Sequence, residues 1–540
     1  MRSALVVAAA VVLLPGLGVG QQTATSRPLS LAEALGRAEG ESETVGLARA
    51  EVTRAAGVRR QARSGYFPQL SGTASYTRTL RSQFSVLQDG DDTTTTSEPT
   101  PICSRFTARP ELPLAERIDS LEAAVECASA SDPFASFRNL PFGRENEYRL
   151  GLALSQNLFT GGRLGGQLRA ANAGLRSAEL GVTAARAQLL LDVTQAYYDA
   201  ALGDRLVAIA EATLQQADTT FVQTRLAQQV GNQSEFELLR SQVTRDNQRP
   251  VVIQRRADRD LAYYRLKQLL NLPLDEPLQL TTELGDTALV EVTRLNELVR
   301  TPGDTAPDAR GPVQQASATV EAQRGLLRVA QAQHLPQLVL SSQFARLGYP
   351  SDPSPFSTDF VSDWTVSVGV QLPIFTGGRI RGEVQAAEAG VTQAQLRLRQ
   401  TRELAQLDAR SAGIQLESSR AAWEASVGTV EQATRAYSIA EVRFREGIST
   451  QTELLDSRIQ LEQAQAARAR AARDLQVAKM RLTLLPALPL GGTAATSGQA
   501  VGSPSGITVP LSTPRPSAPT QQQTISGIST GIPQAGAVGQ

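Results

Sequence analysis

The chain is poor in the residues that carry reactive chemistry: its 540 residues include two cysteines, one histidine, two methionines and two tryptophans. His334 stands beside Pro336 with no nucleophile or metal-ligand cluster near it in sequence, so no enzyme activity, catalytic residue, cofactor or metal site is assigned. Two cysteines exclude a four-thiolate zinc site. Cys103 and Cys127, 24 residues apart, suit one disulfide in an oxidising compartment, with a free thiol pair as the alternative. Net charge is also lacking: 53 basic residues balance 53 acidic ones, and the basic residues are scattered without aromatic platforms, which removes the case for a nucleic-acid partner. Beyond the first 20 residues no stretch offers the roughly 18 consecutive apolar residues of a spanning helix, so any membrane crossing falls to β-strands.

Met1 to Gly20 reads as a secretory leader, with Arg2 as basic flank, Ala4 to Leu14 as apolar core, and Gly18 and Gly20 before Gln21. No cysteine follows that expected cleavage site, so a lipid anchor is not expected. At the other end, Arg515 is the one charged residue between Gly491 and Gln540, and Gly, Ser, Thr, Pro and Gln dominate, the composition of a disordered tail.

Between these ends the chain repeats itself. Leu158-Phe159-Thr160-Gly161-Gly162-Arg163 recurs as Ile374-Phe375-Thr376-Gly377-Gly378-Arg379, an offset of 216 that also aligns Gly231 with Gly447 and Glu237-Leu238-Leu239 with Glu453-Leu454-Leu455. Pro68-Gln69-Leu70 matches Pro336-Gln337-Leu338 at an offset of 268, so the first half carries 52 extra residues (268 less 216), which fall between Tyr76 and Tyr148 and include both cysteines. The expected organisation is a tandem duplication with one enlarged loop.

Two segments in each half alternate with period two. Trp364, Val366, Val368, Val370 and Leu372 share one face, and Tyr148, Leu150, Leu152 and Leu154 share its counterpart. The preceding strands give Leu70, Gly72, Ala74 and Tyr76, and Leu338, Leu340, Ser342 and Phe344. A soluble sheet with one buried face has this pattern, and so does a barrel with lipid outside and water inside. The aromatics Tyr76, Tyr148, Phe344 and Trp364 at the ends of the apolar faces favour the barrel, as a membrane-interface belt.

After each Gly-Gly-Arg the spacing turns helical: Leu164, Leu168, Ala171, Leu175, Ala178, Val182, Ala185 and Leu189 in the first copy, Ile380, Val384, Ala387, Val391, Ala394 and Leu398 in the second. Such narrow Ala-rich seams predict coiled-coil helices. They run without proline to about Gln229 and Glu446, roughly 66 residues or about 100 Å. Glycine turns at Val230-Gly231-Asn232 and Gly447-Ile448-Ser449 stop them, and a second helix returns as far as the proline at 273 or 486. Upstream, Ser30-Leu31-Ala32-Glu33 fits a capping box, and a helix from about Glu43 to Ser64 leads into the first strand. Within the insertion, Leu114, Ile118, Leu121 and Val125 predict a short amphipathic helix ending at Cys127.

Four strands cannot close a barrel, because open edges leave backbone groups unpaired in lipid. Three copies give twelve strands, enough to enclose a channel, whereas two give eight, which side chains fill.

The sequence resembles the TolC-like outer-membrane efflux proteins through Tyr66-Phe67-Pro68-Gln69-Leu70, the paired Phe-Thr-Gly-Gly-Arg motifs, and Arg443-Phe444, Gly447, Thr450 and Glu453-Leu454-Leu455. The resemblance covers about Leu29 to Leu488. It implies a mixed fold: long antiparallel α-helical coiled-coil hairpins plus four transmembrane β-strands per chain, assembled as a trimeric α/β-barrel duct. On that basis residues 1–20 form the signal peptide and 21–65 an N-terminal equatorial segment with the first helix; 66–158 form a β-hairpin whose loop 80–147 is extracellular, and 159–273 the first periplasmic helical hairpin. Residues 274–312 are an equatorial linker, 313–335 a helix, 336–374 the second β-hairpin, 375–488 the second helical hairpin and 489–540 the tail.

The resemblance further implies a passive duct of a tripartite efflux or type I secretion system in a Gram-negative outer membrane. Its partners are two further copies, a periplasmic adaptor of the membrane fusion class, an inner-membrane transporter and outer-membrane lipid. The adaptor-docking tips are then Val230, Gly231 and Asn232 with Gly447, Ile448 and Ser449. Glu453 and Asp456 stand at family positions that line the aperture, as carboxylate rings or as two solvated side chains. Arg240 stands where Asp456 does in the other half, and Phe444 replaces a tyrosine frequent in the family, which removes a gating hydroxyl. A coiled-coil adaptor lacks four duplicated strands, and a substrate-specific porin needs no 100 Å helices; these are the alternatives. Cargo stays open among drugs, metals and proteins.

Overall fold

The computed structural model describes residues 27–80, 110–130, 145–285, 305–350, 353–354 and 359–490. The expected leader, Cys103, and the tail from 491 lie outside the described residues. So does the Cys103–Cys127 pairing, since Cys127 is described only as backbone.

The chain enters through a short strand, β1 (Arg27–Leu29), and two helices, α1 (Leu31–Glu41) and α2 (Glu43–Ser64). Ser30 caps α1 by accepting from the Glu33 amide at 3.2 Å, and Ser42 caps α2 by accepting from Val45. Only half of the expected capping box forms, because the Glu33 carboxylate takes the Arg27 guanidinium, also at 3.2 Å. Strand β2 (Gln69–Arg78) is followed in the insertion by α3 (Leu114–Ala130). That helix does not end at Cys127 as expected; nothing at Cys127 breaks a helix, and three further residues continue it. Leu114, Ile118, Leu121 and Val125 on it are exposed.

Strand β3 (Asn146–Phe159) then feeds α4 (Arg163–Gln229), 67 residues long, which turns into α5 (Glu235–Leu269). The second pass repeats the series: α6 (Gly311–Ala332), β5 (Gln337–Gly348), β6 (Val361–Gln371), α7 (Arg379–Arg445), again 67 residues, and α8 (Gln451–Leu484). Gly161 and Gly162 adopt φ of 61° and 92°, and Gly377 and Gly378 adopt 59° and 85°. Left-handed backbone at both residues turns the chain into the helix, within three residues of β3 and seven of β6, a conformation that side-chain-bearing residues resist. The many threonines of α4 are accommodated by hydroxyls donating to the carbonyl one turn back, as Thr194 does to Leu190 at 2.7 Å and Thr213 to Ile209 at 2.9 Å.

The four long strands make one antiparallel sheet in the order β2, β3, β5, β6. Its register sets Tyr76 opposite Tyr148, Leu152 opposite Phe344, and Phe344 opposite Trp364. Because side chains alternate along every strand, this register places all four apolar sets on one face and Ser71, Thr73, Gly151, Ser341, Gln343, Thr365 and Ser367 on the other. The aromatics do not form a single row. Tyr76 and Tyr148 stack with centroids 4.8 Å apart, at the level of Gly348, while Phe344 and Trp364 sit four residues along the strands, about 13 Å away.

The main core gathers where the chain enters. β1 pairs in parallel with β4 (Leu278–Leu280), a pairing across some 250 residues that the sequence did not announce. Tyr197, fully buried in α4, donates its hydroxyl proton to Leu29 O at 2.9 Å and accepts from the Thr282 amide at 3.0 Å, bridging β1 and the segment just past β4. Leu31, Leu35, Val193, Leu266, Leu270 and Leu484 close around it. No described helix is long and apolar enough to cross a membrane.

Candidate functional site at the helical turns

The two glycine turns are built alike. In the second, Gly447 adopts φ of 72°, and Ile448 and Gly447 amides donate to Arg443 O at 2.8 Å and Phe444 O at 3.0 Å. The left-handed glycine reverses the chain and brings outward amides back onto the last helical carbonyls. Thr450 then caps α8 by accepting from the Glu453 amide at 3.4 Å. In the first, Gly231 has φ of 82°, the Asn232 amide donates to Ala227 O at 2.8 Å, and Ser234 caps α5 by accepting from Glu237 N at 3.3 Å. Val230, Gly231, Asn232, Gly447 and Ile448 are exposed and Ser449 is half-buried.

The expected aperture residues lie just past the second turn. Glu453 is half-exposed and pairs with Arg443 across the turn, Nη1 to Oε1 at 3.6 Å. Asp456 is exposed, and Phe444 is half-buried with its carbonyl in the turn. The first-half counterpart of Glu453 has a different setting. Glu237 is half-buried, and the buried Gln451 amide, oriented with its nitrogen toward it, donates to Glu237 Oε2 at 2.5 Å while its oxygen accepts from Ser241 N at 3.3 Å. The structure therefore joins the two turns through a Gln451–Glu237 contact that sequence spacing does not signal.

A second feature missed in sequence lies two turns further along α8. Arg458 is 6 % exposed and faces α4 and α5 across a small cleft. Burial lowers its proton affinity below the ordinary guanidinium range, offset by the Tyr437 hydroxyl and the Glu462 carboxylate nearby. His334 is exposed at the end of α6, and among the described residues no three His, Cys, Asp or Glu side chains gather as metal ligands would.

The outer membrane efflux protein family matches residues 34–272 and 306–487. The pyoverdine export outer membrane protein OpmQ of Pseudomonas putida is 29 % identical over 296 residues, 53 % of this chain and 57 % of that protein. Nodulation protein T of Rhizobium leguminosarum bv. trifolii is 22 % identical over 311 residues, 56 % of this chain and 64 % of its own. The chain thus matches less than two thirds of the length of either curated relative. Among solved structures, the outer membrane protein VceC of Vibrio cholerae superposes with a TM-score of 0.63 at 19 % identity, covering 84 % of this chain and 96 % of its own. The CmeC outer membrane channel of Campylobacter jejuni gives 0.64 at 17 %, covering 86 % and 87 %. The fold is that of TolC-like channels. The chain belongs to the outer membrane efflux protein family, and its place is the outer membrane.

Proposed function

We propose that the chain is one protomer of a homotrimeric export duct, the outer-membrane component of a tripartite efflux or type I secretion system. The observation that carries this reading is the sheet. One face is mainly apolar, interrupted by Ser342 and Arg346, the other is mainly small and polar, interrupted by Val339 and Leu347, and the edge strands β2 and β6 are exposed along their whole lengths. Such a sheet lacks partners on both edges, and three copies joined edge to edge form a closed twelve-stranded barrel with lipid outside and water within. Tyr76, Tyr148, Phe344 and Trp364 meet the membrane interface at two depths.

The matched φ values at Gly161 and Gly377, Gly162 and Gly378, and Gly231 and Gly447 support a tandem duplication. The helices α4 and α7, about 100 Å long at 1.5 Å per residue, and the return helices α5 and α8, about half that, extend through the periplasm, and the turns joining each pair receive the adaptor. Glu453 and Asp456 favour cations at the aperture. The duct catalyses nothing, and a pump supplies the cargo; the name of OpmQ puts small-molecule export first among the cargo classes to test.

The test is single-channel conductance of purified protein in planar bilayers, wild type against Glu453→Ala/Asp456→Ala, with the mass in detergent measured alongside. A trimer with small cation-selective conductance, raised or made unselective in the variant, supports the reading. A monomer that conducts nothing sinks it and returns the adaptor reading.

A further inference from the structure

We propose that the helical end of the sheet carries a basic collar that binds anionic glycerophospholipids of the phosphatidylglycerol class, in the leaflet nearer the long helices. The register of the sheet brings four strand ends together there, the starts of β2 and β5 and the ends of β3 and β6. The ten residues of chain next to each of these ends, 59–68, 160–169, 327–336 and 372–381, hold eight arginines and no Asp or Glu. Arg59, Arg60 and Arg63 precede β2, Arg163 and Arg169 follow β3, Arg328 precedes β5, and Arg379 and Arg381 follow β6. The opposite end of the sheet is different: its charges are mixed and paired, Arg78 with Glu145 at 3.6 Å and Arg149 with Glu147 at 3.2 Å.

Most of the collar's charge is unmatched. Arg169 pairs with Glu321 at 3.2 Å and Arg379 with Glu383 at 2.6 Å, while the remaining six arginines form no ion pair among the described residues. Of these six, Arg163 is half-buried and the other five are exposed. The acids nearest the strands on α2, α6 and α7 are Glu51, Glu321 and Glu383, and they already hold Arg54, Arg169 and Arg379. A symmetric neighbour presents the same acid-free belt at the same level, so contact between copies brings no carboxylate to it. The counter-charge therefore comes from outside the protein.

Depth selects lipid as its source, a step that rests on the outer-membrane duct proposed above. From Leu338, opposite Phe159, to Gly348, opposite Tyr148, β5 advances ten residues. At about 3.4 Å per residue and a tilt of about 40°, that makes about 26 Å, the height of a barrel's apolar band. The arginines lie just past the lower edge of this band, at headgroup level, next to exposed Phe67, Phe159, Ile374 and Phe375, which meet the acyl chains. Arg63 stands over the Phe67 ring, 5.9 Å from its centroid, and spans the two layers. A phosphodiester accepts the paired N–H groups of a guanidinium, and a headgroup without an ammonium of its own leaves its full negative charge to the collar. Lipopolysaccharide is anionic too, but it occupies the other leaflet, beside the paired end of the sheet.

The purified full chain is reconstituted in vesicles of phosphatidylcholine and phosphatidylglycerol in equal amounts, and the lipids it retains on extraction are counted by native mass spectrometry. Wild type is compared with Arg59→Gln/Arg60→Gln/Arg63→Gln and with Arg328→Gln/Arg381→Gln. Wild type is expected to retain phosphatidylglycerol over phosphatidylcholine by at least about fivefold, with the ratio falling as salt rises and dropping about twofold or more in each variant. The salt series needs no variant, so it decides even where a variant fails to fold. A wild type without preference, a ratio indifferent to salt, a ratio unchanged in the folded variants, or lipopolysaccharide displacing phosphatidylglycerol from wild type overturns the collar. A chain that enters no vesicle sinks the outer-membrane duct itself, whereas one that enters and prefers neither lipid sinks the collar alone.

Discussion

The guanidinium of Arg310, its side chain fully buried at the start of α6, donates from Nη2 to Asp408 Oδ2 of α7 at 2.7 Å. Asp408 Oδ1 accepts from Arg481 of α8 at 3.0 Å, so one carboxylate holds three helices. Removing the carboxylate strands a buried cation. Asp408→Ala is expected to cost about 3–5 kcal/mol, and Arg310→Met in the same background to recover part of that, because an apolar side chain of similar volume needs no counter-charge. Thermal melts of the single and double variants in detergent check this; equal losses in both would show that burial of Arg310 is not the cause.

At the offset of 216, Asp408 and Arg481 correspond to Asp192 and Arg265, but among the described residues Asp192 forms no ion pair and accepts from Gln188 Nε2 at 2.8 Å instead. Burial raises the Asp192 carboxyl above its ordinary value of 3.8, against the opposing pull of Gln188 and Arg265. A raised acid is penalised in its charged form. Below the unfolded value both states hold the proton and there is no penalty; it builds as pH rises through the unfolded and then the folded value, and persists above. Asp192→Asn is therefore expected to melt higher than wild type at pH 7, with the difference closing toward pH 4. A melting series across that range decides the sign.

Where α4 crosses α6, Gly166 and Gly325 meet backbone to backbone: a Cβ on Gly166 would lie 2.6 Å from Gly325 O, and one on Gly325 2.8 Å from Ala170 N. Backbone cannot swing aside as a side-chain tip can. Gly166→Ala should cost about 1–3 kcal/mol through forced separation of the helices. Gly174→Ala, in open space on the same helix, should instead stabilise by up to about 1 kcal/mol. Melting the two variants side by side separates crowding from helix propensity.

Arg443 and Glu453 form a half-exposed pair at 3.6 Å, a geometry worth less than about 1 kcal/mol. Arg443→Ala should leave stability nearly unchanged while releasing the Glu453 carboxylate at the proposed aperture. Reversal potentials under a salt gradient should then shift toward stronger cation selectivity. An unchanged potential would place Glu453 away from the ion path.

Both 67-residue helices were legible because every signal that bounds them is local: Gly-Gly at one end, a glycine turn and a Ser or Thr cap of the next helix at the other, and no proline between. Pro250 shows the limit of local rules. It lies inside α5 and by propensity alone should end that helix, yet α5 continues to Leu269, its side packed along α4 through contacts such as Arg256 with Glu211 at 2.7 Å. The turns were legible as turns, whereas the Gln451–Glu237 contact and the burial of Arg458 were not, since both depend on which helix lies opposite.

Taken by itself, the sequence determined the element types, the two-face character of the four strands and the places where helices reverse, because period, glycine and capping chemistry act within a few residues. Tertiary structure alone decided the register that turns four separate apolar faces to one side, the pairing of Arg27–Leu29 with Leu278–Leu280, and the burial of Arg310 and Arg458. Those depend on partners tens to hundreds of residues away, and a charged side chain carries no mark in sequence of whether its neighbours will be water, a carboxylate or another helix.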